Sequence, residues 1–119
     1  MADVADYRVI SDGGVTLQTG GDIDHHFTFD LGTAVKHNQH AILQFFMVSA
    51  SNANNLSFRF SVNGTAVRTI NVTGNHFATI HEVQANITKN NMNELEMRIV
   101  GGTGAVTISD IVLFVQRAV

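Results

Sequence analysis

The chain has 119 residues, a formal net charge of −3 at pH 7 and no cysteine. This length suits one domain over residues 1–119 that buries roughly two thirds of its unfolded surface and needs no disulfide staple. Only 14% of residues are charged, and the seven lysines and arginines are scattered singly, which excludes a basic surface for nucleic acid. The first ten residues lack signal-peptide regions and no apolar run reaches membrane-span length, so we expect a soluble domain with no membrane partner, in a compartment left open.

Apolar and polar side chains alternate along most of the chain, which predicts strands with one buried face and no long helix. Turn signals separate the strands, and Asn63-Gly64 is the clearest because both residues accept a positive φ in a hairpin. The predicted strands are residues 6–10, 14–19, 25–31, 40–49, 56–62, 66–72, 77–83, 94–100 and 104–115. Nine short strands of this kind predict an all-β fold, an antiparallel sandwich or barrel.

Two strands depart from simple alternation. In the last strand the apolar phase slips by one residue between Ile108 and Ile111, and a β-bulge at Ser109-Asp110 would absorb the slip. In residues 77–83 the apolar side chains fall three apart, so the facing of that strand stays open.

Four segments between His40 and Val115 carry a family resemblance: "HAILQFFMVSA", "NNLSFRFSVNGTAV", "NNMNELEMRIVGG" and "GAVTISDIVLFVQ". Together they resemble the galactose-binding-like jelly-roll domains found among carbohydrate-binding modules. The resemblance implies a jelly-roll β-sandwich, and it implies sugar binding as one of the functions that this fold supports.

The stretch "GGDIDHHFTFDL" combines two aspartates with adjacent histidines. Because successive side chains of a strand point to opposite faces, the two histidines lie on different faces. His25 falls with Phe27 on the buried face, where we expect it to close the core edge. Asp24 and His26 share the solvent-facing side. A metal site needs at least a third ligand beside these two residues, so whether a metal ion binds here stays open.

Other chemistry finds little support in the sequence. The chain does not resemble a cupin enzyme, because it has no His-x-His motif followed by Glu and no proline. No serine lies in a nucleophile elbow, and Glu94 and Glu96 fit a solvated strand surface beside Arg98. We therefore expect a protein that is not an enzyme and has no catalytic residues.

Glycan recognition needs amide and imidazole groups that hydrogen-bond sugar hydroxyls, and the predicted loops supply them. The candidate ligand-binding residues are His37, Asn38, Asn52, Asn54, Asn75 and His76. Aromatic platforms are scarce, because there is no tryptophan and only one tyrosine. We expect no cofactor, although the family resemblance leaves a structural calcium ion open, for which several aspartates are available: Asp3, Asp6, Asp12, Asp22, Asp24 and Asp110.

Two predicted strands are apolar in both phases, "AILQFFMV" and the closing strand. Because the outside of a sandwich faces water, such strands need a cover. The predicted exposed patch consists of Leu43, Phe45, Met47, Val112 and Phe114. A loop or the N-terminal segment would cover it, or it would form a homo-oligomer or partner interface. The first functional hypothesis is therefore a non-catalytic, lectin-like module, and the alternative is a structural or assembly protein that oligomerises through an apolar sheet face.

Overall fold

A computed structural model describes residues 3–118, with side chains from residue 4 onward. All nine predicted strands are present within a few residues of their expected bounds. They are β1 (Asp3–Ser11), β2 (Val15–Gln18), β3 (Asp24–Phe29), β4 (Ala41–Ser49), β5 (Asn54–Val62), β6 (Thr65–Val72), β7 (Phe77–Gln84), β8 (Asn93–Thr103) and β9 (Ala105–Ala118). In this part of the chain no helix is long and apolar enough to cross a membrane.

The strands form two antiparallel sheets, which confirms the predicted sandwich. The five-stranded sheet has the order β1-β9-β4-β7, and β2 also pairs with β9. The four-stranded sheet has the order β3-β8-β5-β6. Each sheet turns one face inward, so alternate residues of each strand enter the shared core.

The core lies between the two sheets and is centred on aromatic side chains. The ring of Phe45 contacts those of Phe58 and Phe60 edge-on, at centroid distances of 6.5 and 5.0 Å. All three side chains are fully buried. Each removes its apolar surface from water, a gain of about 1.5 to 3 kcal/mol per side chain, and together they hold the sheets face to face.

The predicted facing of β4 is wrong. Leu43, Phe45 and Met47 are 2%, 0% and 1% exposed and lie in the core, so they do not form an exposed patch. Ile42 and Phe46 occupy the outer face instead. Alternation could not choose between the two phases because both are apolar, and only the position of the second sheet decides which phase is covered.

The closing strand agrees better with its prediction. Val112 and Phe114 lie on the outer face and are half-buried there, while Leu113 and Val115 enter the core. The bulge is confirmed, because the pairing of β9 with both neighbours shifts register near Asp110, which has a φ of 54°.

Strand β7, whose facing was open, presents Phe77 and Val83 to the outside. Ile80 packs against the core.

Candidate functional site

The six candidate ligand-binding residues lie at two opposite ends of the sandwich. His37 and Asn38 precede β4, whereas Asn52, Asn54, Asn75 and His76 lie near its other end. Nine residues of β4 separate the two groups by roughly 26 Å, because an extended strand rises about 3.3 Å per residue. The residues therefore do not form one site.

His37 links the loop before β4 to the loop between β7 and β8 through hydrogen bonds. Its Nδ1 lies 2.8 Å from Thr88 Oγ1 and its Nε2 lies 2.8 Å from Asn90 Oδ1. The backbone N–H of Asn86 also donates to the His37 carbonyl. Both ring nitrogens are thus engaged within the protein, which leaves this side chain little capacity for a sugar hydroxyl.

At the opposite end, Ser49 is buried and organises the turn that follows β6. Its hydroxyl donates to the Gly74 carbonyl at 2.6 Å and accepts from the His76 backbone N–H at 2.9 Å. The Asn75 side-chain amide donates to the Ser49 carbonyl at 2.6 Å. Asn75 therefore fixes a turn, while the side chain of His76 is exposed.

A cluster of four ionisable side chains lies on the outer face of the four-stranded sheet. His26 on β3 pairs directly with Glu96 on β8. The His26 Nε2 lies 3.2 Å from Glu96 Oε2 and 3.5 Å from Asp24 Oδ2, and its Nδ1 lies 3.1 Å from Glu94 Oε1. We call Asp24, His26, Glu94 and Glu96 the His26 cluster.

The carboxylates determine the charge of His26. The hydrogen bond to Glu94 is the main cause that raises the pKa of His26 above its ordinary value of 6.5, and the charges of Glu94 and Glu96 act in the same direction. All four side chains remain in contact with water, so the cluster presents charge to solvent.

The third ligand that Asp24 and His26 lacked in the sequence is Glu96. One ligand atom from each of these three residues lies within 4.8 Å of the others. An imidazole with two carboxylates suits a transition metal better than calcium, which prefers oxygen ligands alone. Among side chains 4–118, Asp24 is the only one of the calcium candidates that joins such a group of three.

His25 lies in the phase of Phe27, as expected, but stays exposed. The two rings are 4.5 Å apart at their centroids. Because β3 is an edge strand, it has no neighbouring strand on one side, and the His25 ring packs beside Phe27 while staying exposed.

A cleft of about 420 Å³ adjoins the His26 cluster, and Glu94 belongs to both. The cleft is lined by Thr28, Phe29, Asp30, Met92 and Glu94. Ligand pockets of about this volume combine apolar walls with a few convergent polar groups. Here Met92 supplies most of the exposed apolar surface, since Phe29 is only 8% exposed and belongs to the core, and the hydroxyl and carboxylates supply the polar groups.

Met92 is held in a conformation that its side chain disfavours. Its φ is 58°, and its backbone N–H donates to Asp30 Oδ1 at 2.7 Å. The left-handed conformation costs a residue other than glycine about 1 to 2 kcal/mol. The side chain is nevertheless 80% exposed at the cleft. Residues held in such strained backbone conformations cluster at functional sites.

A buried amide network supports this end of the cleft. Asn93 is fully buried, and its Oδ1 accepts from Asn63 Nδ2 and from the Lys89 backbone N–H, both at 2.9 Å. Its Nδ2 donates to the Lys89 carbonyl at 2.7 Å. Asn63 Oδ1 in turn accepts from the Glu94 backbone N–H at 2.9 Å. The turn predicted at Asn63-Gly64 therefore also fixes the position of Glu94.

Sequence reasoning missed the cleft because its residues come from two segments more than sixty positions apart. The available signals were the shared wet phase of Asp24 and His26 and that of Glu94 and Glu96. Pairing of β3 with β8 brings the two sets together, and no local pattern predicts which strands become neighbours.

No family model and no curated protein matches this chain. Solved structures do match. A segment of the dimeric latent form of PorU from Porphyromonas gingivalis aligns with 98% of the chain at 11% identity and a TM-score of 0.77. The chain spans 13% of the length of that protein.

Carbohydrate-binding modules of family 29 also match over nearly their whole length. One aligns with 92% of this chain and 88% of its own at 15% identity and a TM-score of 0.53. A mutant of the module CBM29-2 in complex with cellulohexaose aligns with 91% of this chain and 89% of its own, at 14% identity and a TM-score of 0.51. These likenesses confirm the predicted fold, a β-sandwich of the type found in carbohydrate-binding modules.

Proposed function

We propose that the chain is a non-catalytic glycan-binding module whose site is the cleft beside the His26 cluster. The observation that carries this proposal is the composition of the cleft, in which two carboxylates and a hydroxyl lie beside the exposed side chain of Met92. The ligand is still a glycan, as expected from the sequence, but the proposed site is the cleft and not the loops that carry the candidate Asn and His residues.

The polar groups suit sugar hydroxyls. Each hydroxyl of a sugar both donates and accepts, and the carboxylates of Asp30 and Glu94 are strong acceptors. The Thr28 hydroxyl can donate or accept beside them. Hydrogen bonds to charged groups contribute about 1.5 to 3 kcal/mol each, so two of them account for measurable affinity in an exposed site.

The apolar groups suit the hydrocarbon face of a sugar ring. Met92 lines the cleft with a side chain that is 80% exposed, and Phe29, which is 8% exposed, adds a small part of the lining. Methionine is a polarizable, adaptable side chain that serves as a contact surface where no aromatic platform is available. A glycan bound here would stay intact, and we expect no hydrolysis product.

The solved structures of similar fold support the choice of a first probe. One of them is a carbohydrate-binding module in complex with cellulohexaose. We therefore take cellulohexaose first and a panel of other oligosaccharides second.

Calorimetric titration of the full chain and its variants with these glycans tests the proposal. We expect Glu94→Gln and Met92→Ala each to weaken binding about tenfold, which corresponds to about 1.4 kcal/mol. His76→Ala is the matched control, because His76 is an exposed candidate at the other end of the sandwich, and it should bind as the parent chain does.

Met92→Gly adds a second readout. We expect it to weaken binding while raising the free energy of unfolding by up to about 1 kcal/mol, because glycine adopts the left-handed conformation without strain. Absence of binding to every glycan of the panel would overturn the proposed function. Loss of binding in His76→Ala with full binding in Glu94→Gln would return the site to the loops.

A further inference from the structure

The outer face of the five-stranded sheet carries a continuous apolar row. Register pairs Tyr7 with Phe114, Phe114 with Ile42, and Ile42 with Val83, so these four side chains cross β1, β9, β4 and β7 in one line. Tyr7 and Val83 are 62% and 54% exposed. Nothing in residues 3–118 covers the row. The N-terminal segment, which was one candidate cover, is strand β1 of this same sheet.

Charge is nearly absent from this face. Among its outward-facing positions within residues 4–118, Asp110 at the bulge is an acid and His81 on β7 is an imidazole, no lysine, arginine or glutamate is present, and His40 lies at the rim. Interface centres are depleted of charge in the same way. A face with so little charge offers nothing to an oppositely charged partner, but it meets a copy of itself without repulsion.

The size of the face fits a stable pair. Four strands about 4.8 Å apart and nine residues long give a surface of roughly 20 by 30 Å. The flat area is about 600 Å², and the surfaces of the projecting side chains add to it. The total approaches the roughly 800 Å² of surface that each partner buries in a standard interface.

The face also carries both a protrusion and a depression, at opposite ends. Phe77, 68% exposed, projects where β7 begins. A depression of about 220 Å³, lined by Ile42, Phe114 and their neighbours, lies where β4 begins. Because β4 and β7 are antiparallel, these two features lie at opposite ends of the face. A two-fold axis across the strands brings the protrusion of one copy to the end of the face that carries the other's depression.

From these observations we propose that two copies of the chain associate through this face, sheet against sheet, about a two-fold axis near Gln44. Gln44 pairs with Val112 on one side and His81 on the other and so lies near the centre of the face. The glycan site on the four-stranded sheet then points away from the interface in both copies.

The first test is mass in solution by light scattering over a concentration series. We expect twice 12.9 kDa for the parent chain and a single copy for Val83→Asp. The matched control is Val100→Asp, because Val100 is a similarly exposed valine on β8 of the other sheet, and it should remain paired. If the parent chain is a single copy at every concentration, the proposal is overturned and the face is left to a different partner. Equal masses for Val83→Asp and Val100→Asp would also overturn it.

The second test uses the absence of cysteine. We expect Gln44→Cys to form a disulfide-linked pair on mild oxidation, since an axis near this position brings the two thiols together. Thr69→Cys, on an exposed position of β6 in the other sheet, should stay unlinked. Equal cross-linking of both variants would contradict the assigned face. Both tests use no glycan, so their outcome is separate from that of the proposed function.

Discussion

The two outer faces of the sandwich cover the same core but differ in charge. The face of the four-stranded sheet carries the His26 cluster together with Arg59 and Arg98. The face of the five-stranded sheet carries a row of apolar side chains and few charged ones. Both sheets bury an inner face against the other, so the difference in charge is confined to the outer faces.

The contrast also explains why the two sheets were unequally predictable. Strand β8 alternates cleanly, with Leu95 and Met97 inside and Glu94 and Glu96 outside. Strand β4 is apolar in both phases, and its polar–apolar pattern contains no information about which side is wet. A strand that is apolar on both faces is thus a signal of an uncovered apolar surface, although not of its facing.

The largest expected effect separates the two faces of β4 itself. Phe45→Ala should lower the free energy of unfolding by about 4 kcal/mol, because a fully buried ring leaves a cavity. Phe46→Ala, one position away on the outer face, should cost less than about 1 kcal/mol when both variants are made in the unpaired Val83→Asp chain. Urea denaturation followed by circular dichroism measures both. Equal losses would mean that the facing of β4 is not the one described.

A smaller effect is expected beneath the charged face. Asn93→Ala should lower the free energy of unfolding by about 2 to 3 kcal/mol, since it leaves the backbone groups of Lys89 and the amide of Asn63 without their partner. The exposed Asn91 lies two positions away, and Asn91→Ala should change stability by no more than about 0.5 kcal/mol. A cost below 1 kcal/mol for Asn93→Ala would show that the network does not support this face.

The smallest effect concerns pH. The raised pKa of His26 means that its interaction with the carboxylates stabilises the fold below the unfolded pKa of 6.5 and is lost as the pH rises through the higher folded value. Nuclear magnetic resonance of the imidazole should show Glu94→Gln lowering the pKa of His26. Glu82→Gln, which removes a carboxylate on β7 of the five-stranded sheet that pairs with Arg68, should leave it unchanged. A His26 pKa that is the same in both variants would contradict the role of Glu94.

The His26 cluster beside the candidate site was present in the sequence as two separate halves. Phase analysis correctly set Asp24 with His26 on one wet face, and it set Glu94 with Glu96 on another. It could not join them, because pairing of β3 with β8 brings together residues about seventy positions apart. It also could not recognise Met92, whose importance depends on a positive φ and a bond to Asp30.

The sequence by itself determined the strands, the turn at Asn63-Gly64, the bulge near Asp110 and the sandwich class, because these follow from local alternation and backbone preferences. Tertiary structure alone decided which strands became neighbours, which phase of β4 faces water and which loops share an end. Those properties depend on contacts between distant segments, where the free energy of covering one face or the other is set by the opposing sheet.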